Sequence, residues 1–136
     1  MREIKFRVWD KRLKIMSLVA QLDFNNQVLD HYGKCEPVYG VSFDDAELMQ
    51  FTGLKDKNGV EIYEGDILEI QPMIIADLGL GAEYVLAENY EYFITETVKW
   101  ISDEARFNII SDYNYGSIFR IIGNIFQNPE LLEDKS

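Results

Sequence analysis

His31 is the single histidine of this chain and Cys35 its single cysteine, four residues apart in Asp30-His31-Tyr32-Gly33-Lys34-Cys35. Such a pair does nucleophilic chemistry when the imidazole takes the proton of the thiol, so the two side chains must share a face. A spacing of four achieves that on a helix, and Gly33 between them opposes a helix. No orienting third group and no oxyanion site is legible nearby. We therefore expect His31 at the surface and Cys35 as a small half-buried side chain, and assign no catalytic residue. One cysteine rules out an intrachain disulfide, and with one histidine it leaves too few ligands for a zinc centre.

Hard cations need only oxygen ligands, and carboxylates are plentiful. Asp56-Lys57-Asn58-Gly59-Val60-Glu61 has the outline of a calcium loop, but its glycine comes fourth where such a loop needs it sixth, and no acidic residue closes the twelfth position. Asp44, Asp45 and Glu47, and likewise Asp103 and Glu104, read as solvated acidic turns. Gly79-Leu80-Gly81 lacks the third glycine and the Lys-Ser/Thr step of a phosphate loop. No metal and no cofactor is assigned. Tyr63, Tyr84, Tyr90, Tyr92, Tyr113 and Tyr115 are a different resource, because clustered tyrosines can hold a peptide or stack on bases, although most should pack with their hydroxyls at the surface.

Charge narrows the partners. The net charge is −11, which disfavours direct nucleic-acid binding through phosphate neutralisation. Its distribution says more: residues 1–14 carry six basic side chains against two acidic ones, a net +4, leaving −15 for the remainder. Between Lys57 and Lys99 there is no basic residue. A basic opening segment and an acidic middle attract each other, within one chain or between copies. The candidate interaction surface is accordingly Lys5, Arg7 and Trp9 with Glu64, Asp66, Tyr90 and Tyr92, and the expected partner is a second copy of the chain or another protein. No stretch approaches the ~18 apolar residues of a membrane span and no signal-peptide core follows the basic start, so a cytoplasmic location is expected.

Strands must position these residues. Ile4, Phe6 and Val8 alternate with Lys5, Arg7 and Trp9, and Leu13 to Val19 returns after a turn at Asp10–Arg12, an N-terminal hairpin with a basic outer face. Asn25-Asn26 marks a second reversal. The densest signal is Leu48 to Ile70, where Asn58-Gly59 supplies a tight turn between apolar runs and Tyr63-Glu64-Gly65-Asp66 a sharp bend, the construction of small all-β barrels. Gln71-Pro72 should end the Ile67–Ile70 strand, since proline gives no hydrogen to a ladder. Tyr90 to Trp100 and Ile118 to Ile122 read as strands, Ser102 to Ala105 as a turn. Asn128 as N-cap with Pro129 at the first position predicts a short C-terminal helix.

The opening REIKFRVWD, the central LMQFTGLKDKNGVEIYEGDI and the closing IIGNIFQNPELLE resemble the YopX family of small proteins, encoded mainly by bacteriophages and prophages. The resemblance implies a mainly β protein with an SH3-type barrel and no assigned activity. Put together, the expectation is an N-terminal β-hairpin region over residues 1–43 and an SH3-like barrel region over 44–136 with a short C-terminal helix. The function that the resemblance implies is that of a phage or prophage accessory protein, not an enzyme, acting in the cytoplasm of the bacterial host by self-association and by contact with a host or phage protein. The alternatives are an acidic decoy of a nucleic-acid-binding host protein and a carboxylate-dependent enzyme.

Overall fold

Phe6 and Val8 alternate with Arg7 and Trp9, and the stretch Phe6–Asp10 forms strand β1, which pairs antiparallel with β2 (Ile15–Asp23), Arg7 opposite Leu18 and Asp10 opposite Ile15. The computed structural model describes residues 2–77, 82–86, 94–109 and 117–133. It is mainly β, and the chain divides into two compact units, Met1–Gly53 and Leu54–Ser136.

In the first unit β3 (Val28–His31), β4 (Val38–Ser42) and β5 (Ala46–Lys55) complete an antiparallel sheet in the order β4-β3-β2-β1-β5. Val8, Leu29 and Val41 are buried at its centre, with Val19, Leu22, Val38, Phe43 and Ala46 packed against them. The β1–β2 and β2–β3 turns share one design. An aspartate ends the first strand and its Oδ1 accepts from backbone N–H groups of the turn: Asp10 from Arg12 and Leu13, Asp23 from Asn26. Four residues after each aspartate a non-glycine residue takes a left-handed conformation, Lys14 at φ 56° and Gln27 at φ 55°. The carboxylate thus holds a turn whose last residue is strained.

The second unit begins as β5 runs on through Leu54-Lys55 to a turn at Asp56–Val60 and returns as β6 (Glu61–Tyr63). Gly59, at φ 82°, sits in this turn as its Asn-Gly sequence indicates. The long strand β7 (Asp66–Asp77) then pairs with three others: β8 (Ala82–Leu86), β9 (Ile94–Thr97) and β12 (Ser117–Asn124). The short β10 (Trp100–Ile101) and β11 (Arg106–Phe107) close a small hairpin over Ser102–Ala105. Ile62, Leu68, Ile70, Val98, Phe107 and Ile109 form the core. Buried Asn108 ties it together: its Nδ2 donates to the Thr97 carbonyl (2.8 Å) and to Glu96 (3.2 Å), and its Oδ1 accepts from the Lys99 N–H (3.1 Å).

Several expectations need correction. The strand from Ile67 does not stop at Gln71-Pro72. Pro72 falls where β7 changes neighbours, since its pairing with β12 ends at Pro72 opposite Ser117 and its pairing with β8 begins at Met73 opposite Leu86, so the missing hydrogen costs the ladder little. The C-terminal helix is only a 3-10 turn, Pro129–Leu132. Asn128 does not cap it, because the Asn128 Oδ1 accepts instead from the Asn124 N–H at 3.2 Å. The acidic turn at Asp44 and Asp45 is a 3-10 turn, Phe43–Asp45, capped by Ser42, and strand β5 starts at Ala46. Finally, the strand orders are open: among the described residues no pairing closes a sheet into the barrel that the turn pattern suggested.

Candidate functional site

The buried polar residues of the first unit converge on His31. Its Nε2 lies 3.0 Å from Asp10 Oδ2, both side chains having no solvent exposure. Its Nδ1 accepts from the Gly33 N–H at 3.1 Å, and the same N–H reaches Ser17 Oγ at 2.9 Å. A backbone N–H can only donate, so these partners assign the ring proton to Nε2, facing the carboxylate. Burial alone would raise the pKa of Asp10; the hydrogen bonds from His31 and from the Leu13 and Arg12 amides, with the Arg12 guanidinium alongside, outweigh it and hold the carboxyl below its ordinary 3.8. An Asp-His pair acts as a base only when the second ring nitrogen faces a substrate. Here that nitrogen is taken by Gly33, so the arrangement locks β1 to β3 and positions the Gly33 turn. The surface position expected for His31 is therefore wrong, and so is the half-buried one for Cys35, which is exposed.

A second polar hub occupies the place of the supposed calcium loop. Asp56 is buried, its Oδ1 accepting from the Asn58 and Val60 amides at 2.9 Å each and its Oδ2 from the Ile121 amide at 3.2 Å. Burial opposes the charge, but these bonds and the nearby Lys57 hold the Asp56 carboxyl below the ordinary value. Its oxygens are spent on the backbone. Among the described residues no three His, Cys, Asp or Glu side chains gather as a metal site.

The residues proposed as an interaction surface are distributed as follows. Lys5, Arg7 and Trp9 lie in the first unit, all half-buried. The Lys5 ammonium bridges Glu3 at 3.0 Å and stands 4.9 Å from the centre of the Phe51 ring, and the Arg7 Nε donates to the Met49 sulfur at 3.4 Å. Glu64 and Asp66 belong to the second unit. Glu64 is half-buried, whereas Asp66 is buried, its Oδ2 accepting from the Tyr63 amide at 2.9 Å, and so does not present a surface. Tyr90 and Tyr92 lie outside the described residues. The sequence reading missed a cleft of about 420 Å³ beside Lys5, lined by Ile4, Phe6, Leu18, Leu22 and Tyr32 among others. No sequence signal marks it, because Leu18, which is exposed, lies in the apolar run Leu18-Val19-Ala20.

The family model described as YopX protein matches residues 5–133. The chain belongs to the YopX family. The match spans both units, from Lys5 to the end of the final 3-10 turn. Among solved structures, the crystal structure of protein EF1440 from Enterococcus faecalis is similar, with 28% identity, a TM-score of 0.58, and 98% of this chain and all of that one covered. Protein yopX from Bacillus subtilis matches over 98% of this chain and all of that one, with 21% identity and a TM-score of 0.48. No curated protein matches the chain.

Proposed function

We propose that this YopX-family chain is a phage or prophage accessory protein without catalytic activity, working by protein contact and self-association in the host cytoplasm. The observation that carries the reading is the surface of the first unit, where Ile4, Leu18, Phe24, Tyr32 and Tyr39 are each more than half exposed. Isolated exposed apolar side chains are ordinary, but five large ones within one unit of about fifty residues favour a surface made for contact. The basic opening strand of an otherwise acidic chain adds an electrostatic component that salt weakens. The occupied second nitrogen of His31 favours a structural over a catalytic role for the one buried histidine pair described above. No helix of the described residues is long and apolar enough to cross a membrane. The finer fold reading that accompanies the proposal is SH3-type curvature of the second unit with the N-terminal strands as an extension. Its support is that one strand, β7, takes three partners, and a crystal structure checks it.

Sedimentation velocity at low and high salt tests the functional reading. The wild type should run above monomer mass at tens of micromolar, and Lys5→Glu with Arg7→Glu should shift it towards monomer. Deleting residues 1–14 is not an equivalent test, because β1 lies in the middle of its sheet. A wild type that stays monomeric at low salt overturns self-association.

A further inference from the structure

β1 and β2 separate at one end of their ladder. Their pairing stops at Arg7 opposite Leu18, and N-terminal to it the chain leans towards β5, the Lys5 carbonyl accepting from the Phe51 N–H at 2.9 Å. β2 continues to Asp23 with β3 on its other side. Among the described residues no strand covers the Ala20–Asp23 edge on the side that β1 has left. The cleft of about 420 Å³ opens there, between Ile4 and Phe6 on one wall and Leu18 and Leu22 on the other.

We propose that this cleft binds an extended peptide strand of alternating aliphatic and acidic residues, added to the uncovered edge of β2. The proposal rests on the reading of this chain as a protein that acts by contact. Strand addition satisfies edge amides and carbonyls with main-chain hydrogen bonds, and alternate side chains of the guest then fall on one face. On that face wait Ile4, Leu18 and Tyr32, 59%, 52% and 61% exposed, which suits small aliphatic side chains. The β2–β3 pairing shifts register between Val19 and Gln21, beside the point where β1 parts from β2, and such bulges locally bend the strand that carries them. Charge selects the rest. Lys5 is the one charged residue lining the cleft, in a chain of net −11, and its bridge to Glu3 is an exposed one of the kind that exchanges at little cost. A guest carboxylate takes the place of Glu3. A basic guest is repelled by Lys5 at close range; the acidic chain attracts it only at long range, where salt screens the field and leaves the local contact to decide.

Fluorescence polarisation of labelled heptapeptides tests this on the full chain. The probes are Glu-Val-Glu-Val-Glu-Val-Glu, the same peptide with lysine for every glutamate, and the acidic peptide with proline for its central valine. The acidic probe should bind at physiological salt, where the long-range field of the chain is screened, at least about tenfold more tightly than either control, since proline removes a main-chain donor and lysine reverses the charge at Lys5. Leu18→Lys should abolish binding and Lys5→Glu weaken it several-fold, while Val60→Lys, at an exposed position in the other unit, changes nothing. Thermal unfolding verifies that each variant is folded; should Leu18→Lys fail, Lys5→Glu carries the decision. Equal binding of all three probes, or of none, overturns the proposal. If none binds and Leu18→Lys dissociates the wild-type assembly, the cleft belongs to a second copy; if none binds and assembly is untouched, self-association stands without this site.

Discussion

Asp56, in the turn before β6, accepts a hydrogen bond from the backbone of Ile121, 65 residues further along the chain. Beside it the Lys57 N–H donates to the Phe119 carbonyl at 2.9 Å, so a local turn and a distant strand are fastened at two adjacent points. Asp56→Ala removes the acceptor for three part-buried backbone donors, and we expect a loss of about 2–3 kcal/mol, read as a lower urea midpoint at unchanged slope. Asp56→Asn should lose less, because an amide oxygen still serves the Asn58 and Val60 amides.

The depressed pKa values of Asp56 and Asp10 set a pH window. Each carboxyl is more acidic folded than unfolded, so its contribution is complete above the ordinary 3.8 and is lost as pH falls through the folded value. Stability should therefore fall on the acid side below about pH 4 to 5. In Asp56→Asn that acid slope should be shallower; an identical slope would show that Asp56 contributes nothing to it.

His31→Ala leaves Asp10 buried without its ring partner and opens a cavity, and should cost about 3 kcal/mol or more. His31→Gln offers an amide N–H to Asp10 and an oxygen to Gly33, and should recover part of the loss. Thermal melts of the pair decide between this and a dispensable histidine, for which both would match the wild type.

Two glycines should respond differently to alanine. A Cβ on Gly59 meets nothing within 4 Å, so Gly59→Ala pays only for its positive φ, about 1 kcal/mol, and Gly59→Val about 1–3. A Cβ on Gly33 falls 2.1 Å from the Glu36 carbonyl oxygen, and the Gly33 turn also supplies the donor to His31. Gly33→Ala should therefore be the more damaging, and a reversed order of unfolding midpoints would contradict the geometry.

The strained turn ends invite a stabilising change. Gln27 is held left-handed at φ 55°, and Gln27→Gly removes a penalty of about 1 kcal/mol against a smaller entropic cost in the unfolded chain. A modest rise in melting temperature is expected; a fall would mean that the entropic cost prevails.

What could be read in advance was whatever neighbouring residues decide among themselves. Asn58-Gly59 announced its turn, Ser102–Ala105 its reversal, and the alternation around Val8 its strand, since each depends on backbone preference or on a two-residue period. The polar interior could not be read that way. His31 and Asp66 look like surface residues in sequence, and what buries them is a partner supplied by folding, the Asp10 carboxylate 21 residues earlier in one case and the Tyr63 amide across a bend in the other. The C-terminal cap failed for a related reason: Asn128 has the right identity, but the Asn124 amide competes for its oxygen. Of the proposed contact residues Lys5 does line a cleft, yet the cleft arises from two strands parting, which no local pattern encodes.

β7 and β12 also impose an order on synthesis. β7 is complete once Asp77 has left the ribosome, but the partner for residues 66–72 begins only at Ser117, which at ~5–20 residues per second emerges some ~2–8 s later. During that interval the apolar Ile67–Ile70 stretch, core of the finished unit, lacks the strand that later lies along one of its edges. The first unit has a similar wait: β1 is complete at Asp10 and is soon paired by β2 on one edge, but the strand for its other edge, β5, begins only at Ala46. Each unit of the nascent chain thus passes through a stage in which a strand of its core has one edge open to wrong pairing.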